Sequence, residues 1–265
     1  MCYDFLLKEV IFLNKIKCFI KNEMQTLKST VSKTEYILWW VLRIAMVAAI
    51  IYKQIDNGPG FSLTVLILGV NLLATFTVTL IRLLLFPKKI VCRLPFTAQR
   101  WINIIVFVAA FLGHTFEFNN DITSWDKAMH FMSGAIVLLL GNELTEIFIR
   151  KQDRVSNGLR ILNATGFSFF GIVVWEVYEF ILDYNWPDST NMAYNCNPDR
   201  DPFFVWLYGG PSVNFDNGLA SVFDTLTDMI CAIAGIIPAV IFLYFYLKRK
   251  EKKTALSAEK EEITA

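Results

Sequence analysis

The chain has 265 residues, 55% of them hydrophobic and 18% charged, with a formal net charge of +1. A mean hydropathy of +0.44 excludes an ordinary soluble domain. The balanced charge leaves no basic excess to hold nucleic acid and no acidic solvating tail. Five scattered cysteines, without metal-type spacing, argue against a disulfide framework.

Residues 1–35 place Phe5, Leu6, Ile11, Phe12, Ile16, Phe19 and Ile20 at roughly helical spacing, with lysines between them. This pattern predicts an interfacial amphipathic helix. A basic n-region and a small-residue cleavage site are missing, so it does not read as a signal peptide. Six apolar runs follow, near 36–52, 61–86, 101–118, 126–149, 161–183 and 221–247. Each approaches or exceeds the roughly 20 residues a helix needs to cross the hydrocarbon. Arg43 in the first run is expected to snorkel to an edge. The expected fold is therefore all-α, a polytopic bundle of six transmembrane helices over 36–247. A charged tail occupies 248–265.

Lysine and arginine placement sets the orientation. The N-terminal segment, the 87–100 loop, the 150–160 loop and the tail are rich in them, and the three intervening connections are poor. By the positive-inside rule both termini are cytoplasmic, which six spans satisfy. The long 184–220 connection then lies outside. Its stretch Pro202–Pro211 is too short to span and reads equally as a lid or as an aromatic anchor.

Ionisable groups inside the spans carry the functional signal, because such groups are costly there. Asp126 and His130 stand four apart on one helix face. Glu176 and Glu179, three apart, and Asp224 and Asp228, four apart, likewise share a face. The derived orientation puts all three pairs at the outer level, with His114 and Glu117 as weaker candidates nearby. At about 4 Å and an effective dielectric of about 20, each like-charged pair costs on the order of 4 kcal/mol. The carboxylates must share protons, separate or bind cations. A divalent metal is the simplest solution, since carboxylate oxygen and imidazole nitrogen suit several such ions, and helix bundles build metal sites from inward acids and histidines. The expected ligands are Asp126, His130, Glu176, Glu179, Asp224 and Asp228, with Glu179 and His130 as candidate catalytic groups.

Structural readings compete at some positions. Thr123 lies three before Asp126 and Ser221 three before Asp224, so both acids also read as helix-capping residues. Capping explains neither Asp228, one turn deeper, nor Glu176 and Glu179, near a helix C-terminus where the dipole disfavours negative charge. Glu143 and Glu146 read as structural, Glu146 pairing with Arg150 at helical spacing.

The motifs Trp125-Asp126-x-x-x-His130-Phe131-x-x-Gly134, Glu176-x-x-Glu179 and Asp224-Thr225-x-x-Asp228-Met229 resemble the YjdF-like family of bacterial integral membrane proteins, over about residues 100–245. The resemblance implies a shared architecture and polar cluster in a bacterial plasma membrane, and no particular activity. A more distant likeness is to the VanZ-like family, linked to glycopeptide antibiotic tolerance, whose first motif Asp126-Lys127-x-x-His130-Phe131 resembles. There the later motifs usually read Glu-x-x-Gln and Asp-x-x-x-Asn, whereas here Glu179 and Asp228 add two acids and favour cation binding.

Three functions follow as expectations. The first is a metal-dependent membrane enzyme acting at the outer leaflet on a lipid or lipid-linked envelope substrate. The second is an ion or metal transporter, against which stand the single level of the acids and the lack of paired broken helices. The third is a non-catalytic scaffold locked by its polar cluster.

Overall fold

The computed structural model describes residues 17–60, 62–84, 94–118, 122, 124–149, 155–185 and 219–264. Among them every regular element is helical. Helix α1 covers 17–30, α2 Lys33–Asp56, α3 Leu63–Ala74 and α4 Thr77–Leu84. Helix α5, Thr97–Ile105, runs on into a π-helix, Val106–Thr115. Then come α6 (Trp125–Phe148), α7 (Asn157–Asn185) and α8 (Leu219–Thr264). Helices α2, α6, α7 and α8 contain stretches long and apolar enough to cross a membrane, and the bent pair α3–α4 is a fifth candidate. The chain is a multi-pass membrane protein. Its outward side chains, among them Phe170, Val177, Phe180, Ile237 and Phe242, expose about half their surface or more, as residues solvated by lipid do.

Where the sequence suggests one span over 61–86, the chain breaks at Thr75–Phe76 and bends by 60°. No proline or glycine marks the break. Thr75 turns its hydroxyl back onto the Leu72 carbonyl, 2.7 Å away, a local bond that competes with the helix ladder. Backbone groups freed inside a membrane need partners, and distant side chains supply them. Arg43 donates to the Thr75 carbonyl at 2.5 Å and, through Nε, to its hydroxyl at 3.2 Å. Gln99 accepts from the Val78 amide at 2.9 Å and donates to the Ala74 carbonyl at 3.1 Å. Arg43 therefore does not snorkel. It is buried, stacked 3.9 Å from the Phe76 ring centroid, because its guanidinium is worth more at an open carbonyl in low dielectric than at the membrane edge. Replacing Arg43 with leucine should cost about 1–3 kcal/mol, the price of an orphaned buried acceptor. Arg43→Lys should restore little, since lysine lacks the planar fork. Thermal unfolding in detergent checks both.

Helix α2 begins three residues before the expected span. Ser32 caps it by accepting from the Glu35 amide at 3.1 Å, and Lys53 falls inside the helix, paired with Glu117 at 2.6 Å. Helix α1 is tied down by Glu23, which receives Arg82 at 2.5 and 2.9 Å. Helix α8 continues through 248–264, the residues of the expected charged tail. Its 46 residues make a rod of about 70 Å at 1.5 Å per residue, far longer than a hydrocarbon core of about 30 Å. The expected lid at 202–211 and residues 1–16 of the amphipathic segment lie outside the described residues.

Helices α6, α7 and α8 form the part of the bundle that holds the polar cluster. Leu138, Ala164, Ile172, Ala232, Ile236 and Leu243 make their shared core. Small residues bring the backbones together. A methyl group on Gly134 would lie 2.1 Å from the Ala232 carbonyl oxygen, and one on Gly235 would lie 1.8 Å from that of Phe131. Gly171 packs against Val137 of α6, and the buried Ser168 hydroxyl donates to the Gly134 carbonyl at 2.8 Å. Membrane helices associate through such close backbone approach, lipid offering no hydrophobic drive.

Candidate metal centre

The close α6–α8 contact at Gly134 and Gly235 fixes what stands one or two turns away. Asp126, Lys127 and His130 occupy the first turns of α6, and Asp224 and Asp228 the early turns of α8. Helix α7 runs the opposite way and delivers Glu176 and Glu179 near its C-terminal end. At the far end of the bundle, Glu146 accepts from Arg160 and lies 3.4 Å from Lys250. Glu146 thus joins three helices there; Arg150, its expected partner, lies outside the described residues. Glu143 accepts from the Thr97 hydroxyl at 2.7 Å.

The six expected ligands meet as two adjoining groups that share Asp228. His130, Glu176, Glu179 and Asp228 are all buried, and each can offer one ligand atom within 4.8 Å of the others. Asp126, Asp224 and Asp228 form the second group by the same measure. His130 links them: Nε2 lies 3.6 Å from Asp126 Oδ1 and 3.7 Å from Asp228 Oδ1, and Nδ1 lies 3.8 Å from Glu176 Oε1. Both Glu176 oxygens are buried without a hydrogen-bond partner. Glu179 accepts from the Trp175 indole at 2.7 Å, one helical turn back.

Lys127 stands in the first motif shared with the VanZ-like family but is not among the expected site residues. Its ammonium lies 3.0 Å from Asp126, 2.5 Å from Asp224 and 2.7 Å from Asp228, and its side chain is 5% exposed. The available signal is a lysine in the first turn of an apolar helix, where the dipole disfavours a cation. Capping is not what Asp224 does. Helix α8 starts at Leu219, so Asp224 stands beyond the first turn and binds Lys127. Asp126 is turned to Lys127 and His130, while Thr123 lies outside the described residues. His114 and Glu117 belong to neither group; Glu117 is half exposed on Lys53.

Five carboxylates therefore crowd one lysine and one histidine. Even with His130 protonated the cluster carries excess negative charge, which protons or a further cation must offset. Three carboxylates and an imidazole are hard and borderline donors of the kind that suit Mn²⁺, Fe²⁺ or Zn²⁺. The carboxylate of Glu176, with no hydrogen bond and only His130 at 3.8 Å, keeps lone pairs for a cation. The chain belongs to the family described as predicted membrane protein DUF2238, whose model matches residues 37–249. No curated protein and no solved structure matches it.

Proposed function

We propose that this DUF2238 membrane protein holds a divalent cation between His130, Glu176, Glu179 and Asp228, and uses it to act on a lipid or lipid-linked envelope molecule. The observation that carries this reading is the buried Glu176 carboxylate, which has no hydrogen-bond partner and only the His130 imidazole at 3.8 Å, among three other potential ligands drawn from three helices. A buried unpaired acceptor is expensive, and a ligand awaiting its cation accounts for it. When bound, the cation supplies Lewis acidity toward a phosphoryl or acyl oxygen. The chain's own groups do the rest. Trp175 donates to Glu179 Oε1 at 2.7 Å and orients its carboxylate, which serves either as a ligand or, left out of the coordination shell, as a general base. Asp126, one third exposed, forms the rim facing the end of the bundle, where a headgroup would arrive by lateral diffusion.

The proposed topology has six spans, with α3–α4 as one broken span and α5 with its π-helix as another. Both termini are cytoplasmic by the lysine and arginine alternation, and the site faces the outer leaflet of a bacterial plasma membrane. The motif likeness to the YjdF-like and VanZ-like families supports an envelope setting. Metal analysis of purified protein tests the reading. Native protein should carry about one divalent ion per chain, and His130→Ala and Asp228→Ala should lose it. Folded native protein that takes up no Mn²⁺, Fe²⁺ or Zn²⁺ overturns it.

The break at Thr75 favours a second reading, since discontinuous spans mark transporters. Mn²⁺ flux into vesicles bearing the protein, abolished by Asp228→Ala, would replace the enzyme by a carrier.

A further inference from the structure

We infer that Lys127 stands in for a second divalent cation, so that the cluster is a two-cation site held in a one-cation form by its own side chain. The inference deepens the metal reading above and rests on it. Asp126, Asp224 and Asp228 present oxygens within 4.8 Å of one another, a set that hard divalent ions accept. What lies among them is already a cation. The Lys127 ammonium reaches all three, at 3.0, 2.5 and 2.7 Å: it donates hydrogen bonds to Asp126 and Asp224, and Asp228 Oδ1 beside it is buried with no hydrogen-bond partner. Asp228 belongs to this group and to the group around His130 and Glu176. A carboxylate shared in this way is the usual bridge of paired metal sites, whose ions sit about 3.5–4 Å apart.

Charge explains why one side chain keeps the second ion out. The ammonium brings half the charge of a divalent ion, but it is tethered, so it loses no translational freedom on binding. Removing it leaves three aspartates facing each other in a buried place, each close pair costing on the order of 4 kcal/mol at an effective dielectric of about 20. A divalent ion from solution is then the strongest available relief. If Lys127 were only a staple between α6 and α8, its loss would weaken the protein and no ion would repair it.

The test uses the full chain in detergent with Mn²⁺ as the probe, read by bound-metal stoichiometry and by electron paramagnetic resonance. Native protein and Lys127→Arg should each bind one Mn²⁺ per chain with the spectrum of an isolated ion. Lys127→Met, which keeps the packed stem and removes the charge, should bind two and show an exchange-coupled pair. One ion or none in Lys127→Met overturns the inference, while native protein still binding one leaves the single-metal reading intact. No ion in native protein with one in Lys127→Met would overturn both the single-metal reading and the two-cation inference. Should Lys127→Met unfold in metal-free buffer, millimolar Mn²⁺ should restore it, and failure to restore it overturns the inference.

Discussion

Gly235→Ala should fail to fold, or lose more than about 3 kcal/mol, toward the severe end of what single substitutions do. The added methyl would lie 1.8 Å from the Phe131 carbonyl oxygen and 2.8 Å from its carbon. Both are backbone atoms of a helix, so no rotamer change clears them, and the usual overpacking cost of about 1–3 kcal/mol is a lower bound. Separating α6 from α8 would also pull Asp224 and Asp228 away from Lys127. Gly166→Ala is the control. It sits within α7 with nothing near its would-be methyl, so the substitution should be neutral or gain up to about 1 kcal/mol from helix propensity. Thermal unfolding and size-exclusion profiles in one detergent report on both. A Gly235→Ala protein as stable as the native one would mean that α6 and α8 do not meet in this way.

The second large effect pairs a gain with a loss. Glu176→Gln should raise the stability of the metal-free protein and cost on the order of a hundredfold or more in Mn²⁺ affinity. The stabilising side follows from burial. Neither Glu176 oxygen has a hydrogen-bond partner, and His130 Nδ1 stays 3.8 Å from Oε1, so a desolvation cost of about 1–3 kcal/mol is only partly offset. The amide of glutamine is smaller in charge and of the same shape. The affinity side follows from ligand chemistry, because an amide oxygen is a weaker donor than a carboxylate and removes one negative charge from the coordination shell. A scaffold makes the opposite forecast, since a structural acid supports the fold and its neutralisation weakens it. A lower melting temperature for metal-free Glu176→Gln, with Mn²⁺ binding unchanged, would favour the scaffold over the metal centre.

These expectations show how the candidate site is divided between sequence and tertiary structure. The pairs Asp126–His130, Glu176–Glu179 and Asp224–Asp228 are legible from spacing, because helical periodicity puts residues three or four apart on one face. Their common level is legible from the alternation of basic loops. Lys127 is not, since one position along from Asp126 its side chain points about a quarter-turn away on an isolated helix. Only the approach of α8 turns that direction into the centre of three aspartates. Nor does spacing along one helix reveal that Glu146 meets Arg160 and Lys250 from two other helices.

The fold divides along the same line. Apolar runs and charged ends determine that the chain is helical and membrane-embedded, because lipid leaves the backbone few other ways to satisfy its polar groups. The sequence also marks which acids and which histidine are costly enough to need a purpose. It does not determine the break at Thr75, whose backbone groups are held by Arg43 and Gln99 from elsewhere in the chain. Nor does it determine the π-helix after Ile105, or the division of the acids into one group that holds an ammonium and one that leaves Glu176 open. Those depend on contacts between residues far apart in sequence. Their energies exist only once glycines let the helices close to backbone distance, and that is a property of the packed bundle.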